Sequence, residues 1–328
     1  MILRKRLRNS AVKEGKTVEL PVYAKITNLA EQESAVARSV EFIREKLRQF
    51  LKKNERVLIC FPKKEDACCH ILEEAVLGCE AVPVWMGEDR RWITILKTAF
   101  TSKCNCIIAP PLMMLGLSKV AKHMGIPLFA RNVLLSGYPS PKWLVAAVEQ
   151  GLDCQSWGCY DPGVGAVISG FSCSNRIGVH IRDDEYGVDI VDDQGNVLPE
   201  GEVGNIILYP KSDPTLRLFT GDTGRLDTSP CPCGCDSPRL ADMDSFKADY
   251  ATLSKVGESL HFWSSILDCR LERGECGLEL EAIVFQGEKL PKFPSCAKMV
   301  IRPWNPDEDE PFDHHVVLKN MFLKGFDH

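Results

Sequence analysis

The stretch at residues 171–240 decides how this chain reads. It opens with F-S-C-S-N-R-I-G-V-H (171–180), reaches L-F-T-G-D-T-G-R-L (218–226) and ends on C-P-C-G-C-D-S-P-R-L (231–240). Cys173 and His180 stand seven positions apart, and Cys231, Cys233 and Cys235 crowd together about fifty residues later. Between them Thr220-Gly221-Asp222 reads as a turn with an acidic tip. Zinc takes four sulfur or nitrogen ligands in a tetrahedron, and structural sites commonly draw two from each of two loops. Cys173 with His180, and Cys231 with Cys233, supply such pairs, and Cys235 can replace either of its neighbours. Soft thiolates with an imidazole favour Zn2+ over Mg2+ or Ca2+. The plainer reading is a set of free thiols; C-x-C pairs among Pro, Gly and Asp, where nothing apolar buries them, weigh against it. A closed four-ligand site of this kind is structural and leaves no open position for catalysis.

Working outward, 328 residues exceed one compact core and fit two or three domains. A hydrophobic content of 45% with 26% charged residues fits a soluble globular protein. No run approaches the ~18 apolar residues of a membrane helix, so no membrane partner is expected. Met1-Ile2-Leu3-Arg4-Lys5-Arg6 is basic without an apolar stretch behind it, which does not read as a secretory signal. A net charge of −5 argues against a nucleic-acid partner. Fifteen cysteines in a chain of this size without a leader point to a reducing cytoplasm. Most lie in apolar runs, such as Cys60 and Cys106, and read as small buried hydrophobes.

Upstream, the fold class is α/β. Val36, Val40, Ile43, Leu47 and Phe50 recur at helical spacing, and Asn28 with Glu31 makes a capping pair. Short apolar strands at 57–61, 81–85, 106–109 and 132–136 alternate with helices over 57–160, the grammar of a parallel sheet covered on both faces. Ligands on such sheets bind beyond the carboxyl ends of the strands. Near residue 163 the pattern turns to short strands at 166–168, 179–181, 187–191 and 205–208, with turns at 193–196 and 199–202. The expected domains are a parallel-sheet unit over 1–162, a small β-rich, barrel-like unit with the zinc knot over 163–240, and a small α+β unit over 241–328. In the last, 260–269 reads as a helix and 278–285 and 299–302 as strands.

The block G-V-H-I-R-D-D-E-Y-G-V-D-I-V-D-D-Q-G-N-V-L-P-E-G-E-V-G-N-I-I-L (178–208) resembles the adenylate-forming acyl-CoA synthetase superfamily. With L-F-T-G-D-T-G-R-L and C-P-C-G it looks most like the phenylacetate–CoA ligase branch. The resemblance is densest over 125–240, extends over 55–125 and thins toward both ends. It implies that ATP and a small carboxylic acid give an acyl-adenylate, from which CoA as cosubstrate displaces AMP to form a thioester. It implies that Asp222, matching the Asp of T-G-D, accepts the ribose hydroxyls, and that Arg225 matches the basic residue beyond. Trp157-Gly158-Cys159-Tyr160-Asp161 falls on the family's aromatic-Gly-x-x-Glu motif, with Trp157 against adenine and Asp161 near Mg2+; the register can also slip by two. Ser136-Gly137-Tyr138-Pro139 falls where the family has G-A-E-P beside the adenine. Cys173, His180, Cys231 and Cys233 carry over as the zinc-type ligands.

Departures accompany the matches. The family's phosphate loop resembles S-S-G-T-T-G-K-P, where this chain has S-A-V-K-E-G-K-T (10–17). Lys16 survives with Gly15, while the hydroxyls and first Gly are gone and Glu14 adds negative charge. Leu218 replaces the Arg of Y-R-T-G-D, and the large region that precedes the phosphate loop in the family is missing. Lys319 and Lys324 are the candidates for the family's late catalytic lysine, without a supporting motif, so no catalytic residue is assigned. The rival function is a catalytically degenerate relative that keeps the zinc-stabilised scaffold as a ligand-binding or interaction protein. Homo-oligomerisation and the identity of the acid stay open.

Overall fold

The computed structural model describes residues 29–61, 67–137, 140–161, 168–215, 217–244 and 251–312. The Asn28 cap, the 10–17 loop with Lys16, Tyr138-Pro139, Lys319 and Lys324 lie outside them.

The first unit is the expected parallel sheet. Strands β1 (Arg56–Ile59), β2 (Val82–Trp85), β3 (Cys106–Ala109), β4 (Asn132–Leu135) and β5 (Gln155–Tyr160) pair in the order β2-β1-β3-β4-β5. Helices α1 (Leu29–Leu47) and α2 (Ala67–Gly78) cover one face, where Ile43, Leu47, Ile71 and Leu72 pack with Val57, Ile59 and Leu134. Helices α3 (Trp92–Thr101), α4 (Pro111–Met124) and α5 (Lys142–Leu152) cover the other, where Trp92, Met114 and Leu144 pack with Leu58, Ile107 and Val133. Alternate side chains of each strand thus enter opposite cores, which is why these strands read as unbroken apolar runs. Gly116 in α4 lies so near the Trp92 ring that an added Cβ would stand 2.2 Å from it. Cys60 and Cys106 are buried as expected, and burial pushes both thiols well above their ordinary range.

Strand β5 belongs to two patterns. Gln155 to Gly158 pair parallel with β4, while Cys159 and Tyr160 pair antiparallel with β6 (Gly170–Ser172). The sheet is therefore continuous from β5 into β6, so the change of sequence pattern between them does not end it. It continues through β7 (Val179–Ile181), β11 (Arg239–Asp244), β10 (Leu218–Asp227), β9 (Gly204–Pro210) and β8 (Tyr186–Val191). Among the described residues this order is open from β6 to β8, an antiparallel extension of the parallel sheet where a barrel-like unit was expected. Arg182, buried beside β7, ties α1 to this extension by donating to Ser39 Oγ at 3.2 Å and pairing with Glu185 at 2.7 Å.

The last unit holds α6 (Ala251–His261) and a sheet of β12 (Ile266–Gly274), β13 (Gly277–Val284) and β14 (Lys298–Pro303). The expected helix over 260–269 is corrected: α6 ends at His261, and Ile266 begins β12. A short apolar run suits either state, and here pairing with β13 decides it. Lys119 of α4 donates to the carbonyls of His261 (2.9 Å) and Ile266 (2.8 Å), holding this unit against the first. Burial brings its amine down to about 8.

Candidate functional site

Two neighbouring constellations are built on the antiparallel extension. In the first, β7 carries His180 and the loop before it carries Cys173. The loop between β10 and β11 carries Cys231 and Cys233. Ligand atoms of all four lie within 4.8 Å of one another. Cys173 Sγ and Cys231 Sγ are 3.7 Å apart, and Cys233 Sγ is 3.4 Å from His180 Nε2. With Zn–S near 2.3 Å and Zn–N near 2.0–2.1 Å, a tetrahedron has edges of about 3.8 Å between sulfurs and about 3.5 Å between sulfur and nitrogen.

The surroundings fix this geometry. His180 Nδ1 lies 2.8 Å from the Ser237 carbonyl, which can only accept, so Nδ1 bears the proton and Nε2 is left to bind. Ser237 is itself held through Oγ, 2.6 Å from Asp183 Oδ1. Gly234 at φ +81° turns the chain so that its N–H meets the Cys231 carbonyl and the Cys235 N–H points at Cys233 Sγ, 3.4 Å away. Cys235 enters through its backbone; its thiol is outside the four. Burial opposes ionisation of Cys231, but the Cys233 N–H and the Cys233, His180 and Cys173 side chains outweigh it and bring the thiol down to about 6. Cys233, desolvated and facing the other two thiols, is pushed up to about 11. Crowded thiolates resist sharing a site until a cation offsets their charge. The donor set can hold a soft divalent ion.

The second constellation centres on Asp222. Thr220-Gly221-Asp222 is a bulge inside β10, which corrects the expected turn. Phe219 pairs with Ile207 and Thr223 with Asn205, so three residues of β10 face Ile206 alone. Gly221 at φ +82° allows the excursion. Thr220 Oγ1 donates to the Ile206 carbonyl at 3.0 Å and accepts from the Asp222 N–H at 3.1 Å, replacing the missing ladder bonds. The bulge turns Asp222 inward, where it is buried and its Oδ2 accepts from Tyr160 Oη at 2.8 Å. Tyr160 closes β5, so Asp222 meets the carboxyl edge of the parallel sheet. Desolvation and the Asp222 charge raise the phenol well above its usual range, keeping it a donor.

The remaining predicted residues divide. Asp161 follows Tyr160 at the same edge. Gly137 follows β4 at φ +105°, and an added Cβ there would stand 3.6 Å from the Phe61 ring. Trp157 lies in the core: its ring stacks on Phe50 at 4.6 Å and its Nε1 donates to Asn132 Oδ1 at 3.2 Å. Arg225 pairs with Asp242 at 2.6 Å and Asp227 at 3.7 Å. Sequence reasoning did not single out Tyr160 as the partner of Asp222, nor Ser237 and Arg239 beside the thiols. The one visible signal was their place inside the two quoted motifs.

No known protein-family profile matches this sequence, and no curated protein sequence does. Solved structures do. 2-Hydroxyisobutyryl-CoA ligase, in the postadenylation state with 2-HIB-AMP, superposes with a TM-score of 0.62 at 14% identity over 79% of this chain and 59% of that one. The chain carries the fold of the adenylate-forming CoA ligases. An anthranilate CoA ligase in complex with anthranoyl-AMP superposes at 0.55, with 12% identity over 88% of this chain and 63% of that one. A benzoate CoA ligase from Burkholderia xenovorans LB400 gives 0.54, with 13% identity over 81% and 62%. The chain thus spans about three fifths of these ligases' length. Among the described residues no helix is long and apolar enough to cross a membrane.

Proposed function

We propose that this chain is an adenylate-forming ligase-like protein, nearest in its motifs to phenylacetate–CoA ligase, that binds a nucleotide and a small aryl or acyl carboxylic acid. In the full reaction the acid's carboxylate attacks the α-phosphorus of ATP, pyrophosphate leaves, and the thiol of CoA then displaces AMP from the acyl-adenylate. The observation that carries this reading is the meeting of Asp222 with Tyr160 at the carboxyl edge of the parallel sheet, where open α/β sheets bind ligands. A carboxylate there suits two adjacent ribose hydroxyls as acceptor. Asp161 and Gly137 border the same edge; Asp161 is assigned to Mg2+ and Gly137 to the adenine. Trp157 supports that edge from behind through its stack with Phe50. Lys16 is assigned to the phosphates and Arg225 to the nucleotide.

A second reading, a degenerate relative that binds ligand without completing the reaction, is favoured by Arg225. Its guanidinium is engaged by Asp242 and Asp227. Glu14 within the altered phosphate loop points the same way. Pyrophosphate exchange over a panel of aryl and acyl acids, run beside ATP calorimetry, separates the two. Exchange supports the ligase, and ATP binding without exchange supports the degenerate relative. Failure to bind ATP or AMP removes the ligase and takes Asp222 and Trp157 out of a nucleotide site, leaving the degenerate relative as an interaction protein.

We further infer that Cys173, His180, Cys231 and Cys233 hold a structural Zn2+. The tetrahedral edge lengths carry this reading. With four protein ligands the ion clamps two loops of the β-rich region and takes no part in the chemistry. Less than stoichiometric zinc in elemental analysis of protein purified without chelator would sink it.

A further inference from the structure

Arg239 is buried to 2% exposure at the start of β11, directly across the β7–β11 ladder from His180. Its Nη2 donates to the Ser229 carbonyl at 3.0 Å and to Ser229 Oγ at 2.8 Å, and it pairs with Asp227 Oδ2 at 3.0 Å. Its Nε–H is buried without a formal hydrogen-bond partner. On the face of the ladder it shares with His180, the guanidinium also lies beside the Cys231 thiol. A buried cation of this kind needs nearby negative charge, and one carboxylate already shared with Arg225 supplies only part of it.

The metal centre has the complementary deficit. Three thiolates and a neutral imidazole around a divalent ion leave one net negative charge, in a part of the fold where Cys231 and His180 are both buried. From this point charges alternate along a chain of contacts. Arg239 meets Asp227, Asp227 meets Arg225 at 3.7 Å, Arg225 meets Asp242 at 2.6 Å, and Asp242 meets Lys142 at 2.8 Å. The series begins at the thiolates and ends on exposed Lys142 at the start of α5.

We propose that Arg239 is the counter-ion of the metal centre, a positioning residue whose buried positive charge sets how tightly the Cys173–His180–Cys231–Cys233 site holds its ion. This rests on the reading of those four side chains as a metal site. Arg239 does not ligate. It offsets the net charge of the loaded centre, and through Ser229 it anchors the loop that delivers Cys231 and Cys233. The charge and anchoring roles separate by substitution. Lysine at this position keeps the charge and loses the fork to Ser229; methionine keeps much of the packing and loses both.

The test is zinc affinity of the full chain by competition with a chromophoric chelator, with cobalt spectra as an independent readout of ligand geometry. Arg239→Met is expected to weaken zinc binding by about 10- to 100-fold, the range for residues just outside a metal's ligands. Its cobalt spectrum should keep the tetrahedral, thiolate-rich bands. Arg239→Lys should stay within a few-fold of the unsubstituted protein. Asp227→Asn, which removes the competing carboxylate and keeps Arg239, should bind zinc as well or better. Unchanged affinity in Arg239→Met overturns the proposal. Equal losses in Arg239→Met and Arg239→Lys overturn it in favour of loop anchoring alone, as does a loss in Asp227→Asn matching that of Arg239→Met. Asp227→Asn and Arg239→Lys keep the question decidable if the methionine variant does not fold. Failure of the unsubstituted chain to bind zinc at all is read in the first arm, and removes the metal reading together with the proposal.

Discussion

Tyr160 donates its phenolic hydrogen to Asp222 across a 2.8 Å contact, joining the last residue of β5 to a bulge 62 positions later in the antiparallel extension. Both residues are buried, so neither can turn to water when its partner is removed. Tyr160→Phe is therefore expected to cost about 1.5–3 kcal/mol of stability, the range for a buried bond to a charged acceptor. A urea midpoint that stays put would show the bond to be dispensable. Asp222→Asn keeps an acceptor for Tyr160 and removes the charge. It should fold normally and weaken ATP binding, whereas equal ATP affinity would take Asp222 out of the nucleotide site.

Cys233 and Cys235 share a tight turn and should behave oppositely. Cys233→Ser removes a donor atom of the tetrahedral set and should abolish stoichiometric zinc and lower the melting temperature. Cys235→Ser keeps the backbone N–H that approaches Cys233 and should leave both zinc and melting unchanged. Zinc content by elemental analysis and a thermal melt read the pair. Loss of the ion in Cys235→Ser would exchange the two cysteines in the assignment.

Alkaline pH should destabilise the chain through its buried thiols. Burial pushes the Cys60, Cys106, Cys159 and Cys269 thiols well above the ordinary thiol value of about 9. Above pH 9 the unfolded chain releases these protons and the folded chain keeps them. The unfolded state then binds fewer protons and stability falls as pH rises. Each thiol should cost about 1.4 kcal/mol at pH 10, one unit above its unfolded value. Lys119 acts in the opposite sense between about pH 8 and 10.5, since burial lowers its pKa and the unfolded state there holds the extra proton. Four thiols outweigh one amine. A urea midpoint at pH 10 equal to that at pH 7.5 would contradict this.

Trp157 should prove a stability residue. Its ring stacks on Phe50 of the segment after α1 and lies tilted against Phe171 of β6 at 6.4 Å, so it ties three parts of the chain into one core. Trp157→Ala should cost about 3–5 kcal/mol, as for other buried aromatics. Trp157→Phe, which keeps a ring, should cost less and leave ATP affinity within about twofold on calorimetry. A large loss of ATP affinity in a stably folded Trp157→Phe would return the indole to the nucleotide.

The residues legible in advance were those whose role is set by local pattern. Unbroken apolar runs such as 106–109 announced strands buried on both faces, and the spacing of Val36, Ile43 and Leu47 announced the covering stripe of α1. The Cys and His of the candidate metal site were legible because thiols set among Pro and Gly have no apolar reason to be there. What stayed hidden depended on distant partners. Residues 260–269 carry an apolar run compatible with helix or strand, and pairing with β13 made a strand of Ile266 onward.

By itself the sequence determined the α/β grammar, the candidate Cys and His set that the fold brings together, and the superfamily resemblance that the shared fold bears out, because each is written in residue types at short, regular spacing. Tertiary structure alone decided that Thr220-Gly221-Asp222 is a bulge, that Trp157 faces phenyl rings, that Asp222 is met by Tyr160, and that Arg239 lies beside the thiols. Each of those is a contact between segments far apart in the chain, chosen by which buried donors and charges found partners once the sheet had formed.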